Sequence, residues 1–287
     1  MPVPNEGSIT PGPDMFIRND DAELHARVFG HGTRSILAIG GWVGPGEVWH
    51  DCFSHLAGWR CASFDHRGTG ASAHARDPIT SDAMVDDLLA VADTLALPNC
   101  VLAAESAGAG VALRAVRLAP ERFGGLVLVG AAWRAMPSQA MDAMIGAMRA
   151  DYDRFLAGFV AQCLPETKDP ALHRWALRLL RQAAPAHAEQ LMRCRNDESP
   201  AEELERIGLR TLVVHGTDDR IVPFEDSVEL CRRLPAASLH QLDGLGHAPM
   251  VSAPARIAAL IDAHFAATPE STTEAGSTSQ SLGRARC

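Results

Sequence analysis

Ser106 lies in Ala104-Glu105-Ser106-Ala107-Gly108, after the apolar run Cys100-Val101-Leu102-Ala103 and before a helix-like stretch over 109–118. Small residues two before and two after a serine suit a sharp strand-to-helix turn, where the backbone folds back on itself and larger side chains do not fit. A serine held there exposes its hydroxyl, and the amide of Ala107, at a helix N-terminus, faces any developing oxyanion. Alone, the same pattern also fits a serine that N-caps a helix. Nucleophilic chemistry needs a base, and an acid to orient that base. Two downstream loops offer them. Thr211-Leu212-Val213-Val214-His215-Gly216 runs into Thr217-Asp218-Asp219-Arg220-Ile221-Val222-Pro223. Ser238-Leu239-His240-Gln241-Leu242 runs into Asp243-Gly244-Leu245-Gly246-His247-Ala248-Pro249. In each, a β-like run gives way to turn residues, so the carboxylates and His247 fall on loops at strand ends.

The elements that must position these groups can be read from pattern. Short β-like runs fall at 16–19, 23–29, 35–39, 60–64, 100–104, 126–129, 211–215 and 239–242, and helix-like segments at 81–95, 107–118, 224–234 and 254–265. This alternation predicts an α/β fold with a mostly parallel, doubly wound, eight-stranded sheet whose opening pair is an antiparallel edge hairpin. The alternation stops between Trp133 and Ile207, where apolar residues recur at helical spacing (Met141, Met144, Ile145, Met148) and Pro165, Pro170, Pro185 and Pro200 punctuate the pattern.

These motifs, in this order, resemble the α/β-hydrolase superfamily over about 16–265. The resemblance includes Asp65-His66-Arg67-Gly68-Thr69-Gly70-Ala71-Ser72, similar to a D-x-R-G-x-G-x-S turn after strand four, the elbow around Ser106 with Ala104 where glycine is commonest, and Gly216 to Pro223, similar to G-x-x-D-x-x-V-P. Gly246-His247 looks like the catalytic-histidine loop, and Pro120 to Phe123 followed by Gly125 to Gly130 looks like a helix end and strand six. The resemblance implies Ser106 as nucleophile, His247 as base and, by its spacing of three after Gly216, Asp219 rather than Asp218 as the acid. Asp218 is then expected to stabilise the turn by an Asx-type bond. It implies an oxyanion hole from the backbone amides of Trp42 and Ala107. It implies a core of 1–132 and 208–267, a helical cap of 133–207 inserted after strand six, and leaves 268–287, rich in Ser and Thr, as a disordered tail. One departure concerns Ile39-Gly40-Gly41-Trp42, where Gly40 stands at the position of a usually structural histidine. His66 and Arg67 are expected to be structural, His215 to pack at a strand end, and His50 and His55 to sit on a helix in surface or packing roles.

Composition narrows the partners. A net charge of −9 with no basic patch argues against nucleic acid. No apolar stretch is long enough to span a membrane, and residues 1–13 lack the basic-then-apolar order of a signal peptide. Seven cysteines with no C-x-x-C pair read as buried reduced thiols and a cytoplasmic protein. The histidines show no metal-ligand spacing, and the chemistry calls for no cofactor. The expectation is therefore a serine hydrolase acting on a small to medium, apolar carboxylic ester or lactone, with homo-oligomerisation left open. A C–C bond hydrolase, an acyltransferase, a cofactor-free haloperoxidase and a ligand-binding signalling protein with little turnover are the alternatives on the same residues.

Overall fold

The computed structural model describes residues 11–74, 79–196 and 203–266. The expected tail over 268–287 and the start of the N-terminal segment lie outside them. Eight strands form one sheet: β1 (Pro11–Asn19), β2 (Ala22–Phe29), β3 (Arg34–Ile39), β4 (Trp59–Phe64), β5 (Cys100–Glu105), β6 (Phe123–Val129), β7 (Thr211–Gly216) and β8 (Ala237–Leu242). Their spatial order is β1-β2-β4-β3-β5-β6-β7-β8. β2 pairs antiparallel with β1 and β4, and every other pair is parallel. β1 begins earlier than its apolar run suggests, with a register irregularity between Pro11 and Asp14. Proline and glycine obscure a strand in sequence, yet an edge position tolerates them.

Helices cover both faces, which is why the central strands read as continuous apolar runs rather than alternating ones. On one face lie α1 (His50–Ser54), α9 (Pro249–Ser252) and α10 (Pro254–Phe265), packing Trp49, Phe53, Met250, Ile257 and Ile261 against Ile36, Val101 and Val127. On the other lie α2 (Ser81–Thr94), α3 (Gly108–Leu118) and α8 (Phe224–Arg233), whose Leu88, Leu113 and Leu230 meet Leu37, Leu102 and Leu126. The chain leaves β3 for β4 on one side and returns to β5 on the other. That reversal opens a crevice at the carboxyl ends of β3 and β5, the usual place for a ligand in such a sheet.

Between β6 and β7 come α4 (Ser138–Ala150), α5 (Tyr152–Cys163), α6 (Pro170–Leu180) and α7 (Pro185–Cys194), with no strand among the described residues there. Of the four punctuating prolines, Pro170 and Pro185 open α6 and α7, and Pro200 lies outside the described residues. Asp151 and Asp169 cap α5 and α6 by accepting from the N–H groups of Arg154 and Ala171. Met141, Ile145 and Met148 are buried in the main core cluster, so these methionines pack the insertion onto the sheet.

Candidate active site

Four loops at the carboxyl ends of the strands converge. Register places Ile39 level with Ala104 and Leu128, so the chain leaving β3 and β5 emerges side by side. Ser106 follows β5 with φ +50°, in the left-handed region that non-glycine residues rarely adopt. The surroundings fix it there: its N–H donates to Val129 O at 2.9 Å, and its carbonyl accepts from Ala109 N–H at 3.1 Å and Ala132 N–H at 3.0 Å. Backbone strain held by neighbouring structure is typical of functional turns. Ala107 forms the N-cap of α3. Ser106, Ala107 and Trp42 all line one cavity.

Asp219 and His247 are joined. Asp219 Oδ2 accepts from His247 Nδ1 at 2.7 Å, and both side chains are essentially inaccessible to solvent. Asp219 Oδ1 accepts from the N–H groups of Ile221 at 2.7 Å and Val222 at 2.9 Å. The Asx-type bond assigned to Asp218 therefore belongs to Asp219, which orients the imidazole with one oxygen and builds its own loop with the other. Asp218 is exposed and accepts only a long bond from Thr217 Oγ1, at 3.3 Å. His215, expected merely to pack, lies with Nε2 3.0 Å from Asp219 Oδ2, and its Nδ1 is 2.6 Å from Ser227 Oγ. With the Ser227 hydroxyl donating to Nδ1, the Nε2–H is shared between Val222 O at 3.1 Å and Asp219 Oδ2. Sequence pattern missed this contact, though a histidine four residues before the acid at a strand end was the available signal.

Electrostatics fit these contacts. Burial pushes the Asp219 carboxyl upward, but the hydrogen bonds from His215 and His247 outweigh it and hold the acid far below the usual carboxylate range. For His247, burial pushes the imidazole down, while the hydrogen bond and charge of Asp219 and the charge of Glu105 more than offset it, so the net shift is upward. Glu105, whose side chain the sequence reading left unassigned, is buried at the site with Oε1 3.4 Å from His247 Nε2. Burial raises its carboxyl against the lowering influence of His247 and of the Gly41 amide. Among the described residues His247 Nε2 has no hydrogen-bond partner. A serine–imidazole bond is commonly long without substrate and closes when substrate arrives.

Close approach explains two glycines. A Cβ on Gly41 would fall 2.3 Å from Glu105 Oε2 and 2.9 Å from Ser106 Cβ, so only hydrogen fits between the β3 loop and the elbow. Gly130, at φ +54° after β6, leaves room for the His247 ring, whose Nδ1 would sit 3.1 Å from any added Cβ. Gly40 leaves the β3 loop without a histidine of its own, but His66 Nε2 reaches Gly41 O at 2.9 Å and braces the loop from the β4 turn. Arg67 makes a buried bidentate pair with Asp87, at 2.6 and 2.8 Å, so both residues of that turn are structural as expected. His50 packs with Nε2 3.1 Å from Ser63 Oγ, and His55 ends α1. The six described cysteines are buried, and none forms a disulfide among the described residues. Among the described residues no cluster of three or more His, Cys, Asp or Glu could hold a metal ion, and no helix is long and apolar enough to cross a membrane.

Residues between β6 and β7 touch these loops. His247 N–H donates to Cys163 O at 2.9 Å, and the Trp42 indole donates to Ala188 O at 2.8 Å. Trp42 also meets Phe155 and Phe159 edge-on at 5.8 and 5.3 Å.

A doubly wound sheet with a strained serine after β5 and a buried carboxylate–imidazole pair after β7 and β8 defines an α/β-hydrolase fold. A model described as "Alpha/beta hydrolase family" matches residues 28–260, and the chain belongs to that family. It is similar to the AB hydrolase superfamily protein YisY of Bacillus subtilis (strain 168), at 31% identity over 83% of this chain and 95% of that protein. It is also similar to the non-heme chloroperoxidase CPO-A1 of Kitasatospora aureofaciens, at 28% identity over 79% of this chain and 90% of that protein. Among solved structures, an esterase (EaEST) from Exiguobacterium antarcticum superposes with a TM-score of 0.81 at 23% identity, covering 87% of this chain and 98% of that one. Family membership supports a hydrolase role.

Proposed function

We propose that this protein is a serine hydrolase that cleaves a small to medium carboxylic ester or lactone through an acyl-enzyme on Ser106. Two observations carry the reading: a serine at φ +50° just after β5, and the Asp219–His247 bond of 2.7 Å on the loops after β7 and β8, at the same end of the sheet. Asp219 holds the imidazole with Nδ1 protonated, which leaves Nε2 as the basic nitrogen facing the site. His247 takes the Ser106 proton as Oγ attacks the carbonyl, then returns it to the leaving alcohol. Water repeats the sequence on the acyl-enzyme. The amides of Trp42 and Ala107 receive the oxyanion, and each such donor contributes about 3–4 kcal/mol to the barrier in comparable sites. Residues 133–207 act as a helical cap over a core of 1–132 and 208–267, and its apolar side chains give the substrate pocket its character.

The relative named as a chloroperoxidase keeps a cofactor-free haloperoxidase as the second reading, since that chemistry uses the same three side chains. A fluorophosphonate probe tests the shared core of both. It should label wild type covalently and leave Ser106→Ala unlabelled, and labelling that persists in Ser106→Ala would remove Ser106 as nucleophile. Sustained turnover of 4-nitrophenyl esters without halide or peroxide then favours the esterase.

A further inference from the structure

Two pockets adjoin Ser106, and they differ in charge. The smaller is apolar, walled by Val160, Leu164, Leu179 and Met250, with Glu105 as its acid. The larger, a cavity of about 600 Å³, carries three arginines: Arg154 on α5, Arg195 at the end of α7 and Arg220 beside Asp219. Its apolar wall includes Trp42, Phe155, Met144 and Met192. Asp151 is the carboxylate on this lining, and it already caps α5. A chain with net charge −9 has thus placed a cationic wall beside its serine.

Arg195 is the informative member. Among the described residues its Nε, shielded from solvent, has no hydrogen-bond partner, and its Nη2 donates to Arg134 O at 3.3 Å. Asp226, whose charge reaches it, is engaged by Arg134 at 3.0 Å. Withdrawing a guanidinium from water without a carboxylate is costly, and its burial pulls its pKa down. Arg195 and Ser106 line the same cavity. A planar fork with a dry, unused donor is suited to bidentate capture of a carboxylate.

We propose that the larger cavity is an anion subsite in which Arg195 holds a carboxylate of the substrate, distinct from the scissile ester, while the aromatic and methionine wall packs the chain between them. Arg154 and Arg220, exposed at the same cavity, add a field that draws the anion in. The substrate class is then an apolar ester or lactone bearing a free carboxylate. This rests on Ser106 being the nucleophile, so the test has one arm that needs no turnover.

In the first arm, isothermal titration of Ser106→Ala with 4-phenylbutyrate and with 4-phenylbutyramide compares charged and neutral forms of one shape. The carboxylate should bind about tenfold tighter or more, as charge-assisted bonds predict. The gap should vanish in Ser106→Ala/Arg195→Met and persist in part in Ser106→Ala/Arg195→Lys, which keeps the charge without the fork. Equal binding of the two probes, or a gap that survives Arg195→Met, overturns the proposal. In the second arm, the mono-4-nitrophenyl ester of glutaric acid is compared with its methyl-capped neutral form. Wild type should favour the acid through KM, and Arg195→Met should bring the kcat/KM ratio near one. Ester turnover that favours the neutral form sinks the subsite and leaves the Ser106 chemistry standing. Tight carboxylate binding with no ester turnover does the reverse.

Discussion

Replacing Asp219 by asparagine tests the relay at its best-defined bond. On the Oδ1 side, asparagine can still accept from Ile221 and Val222 N–H, so the loop keeps its scaffold. On the Oδ2 side, an amide NH2 would face His247 Nδ1, 2.7 Å away, and His215 Nε2, 3.0 Å away. A donor opposite Nδ1 forces the imidazole to accept there and to carry its proton on Nε2, the nitrogen that must act as base. The wrong tautomer in a triad costs roughly 10⁴ in kcat. One charge-assisted bond at about 1.5–3 kcal/mol is lost with His247, while His215 keeps Val222 O as an acceptor, and because no charge is left buried stability should fall by about 1–3 kcal/mol. Most domains with 5–15 kcal/mol in hand, as a rough range, remain folded after such a loss. The assay is kcat on a 4-nitrophenyl ester, with urea unfolding run beside it. Asp218→Asn is the control, and with an exposed side chain and one long bond it should change kcat by less than about threefold. The pH profile adds a second readout. Because His247 is shifted upward, kcat/KM in wild type should rise with pH through a midpoint above the ordinary histidine value of 6.5, as the imidazole loses its proton. Asp219→Asn removes the largest upward influence and should move any residual midpoint down. A folded Asp219→Asn enzyme within about tenfold of wild type, or a larger loss in Asp218→Asn, would refute the assignment.

Two further changes probe the neighbours. Gly41→Ala forces a methyl to within 2.3 Å of Glu105 Oε2 and 2.9 Å of Ser106 Cβ, so the loop or the elbow must shift; kcat/KM should drop by about 10²-fold, with unfolding weakened by only about 1–3 kcal/mol. Circular dichroism and urea titration separate that outcome from misfolding. Glu105→Gln removes an anion 3.4 Å from His247 Nε2 that favours the imidazolium, so the acid limb of the kcat/KM profile should move to lower pH; an unchanged or higher midpoint would show that Glu105 does not act on the base.

The sequence alone determined the parts whose meaning is local. Small residues around Ser106, turn residues after β7 and β8, and apolar runs alternating with helical spacing each constrain a few consecutive φ and ψ values, and the strands and helices appear where those patterns lie. The helices α4 to α7 between β6 and β7 were legible for the same reason. What the tertiary structure decided are contacts between residues far apart in the chain. It put His247 rather than solvent against Asp219, and gave Asp219 the turn bond that spacing had assigned to Asp218. It turned His66 into the brace for a loop that lacks its own histidine, and His215 into a second partner of the acid. Glu105 and Arg195 illustrate the limit. Each is one charged residue in an unremarkable local pattern, and its importance comes from where a strand end or a helix end delivers it. Burial and the absence of a partner give such a residue its chemistry, and both are properties of the packed fold.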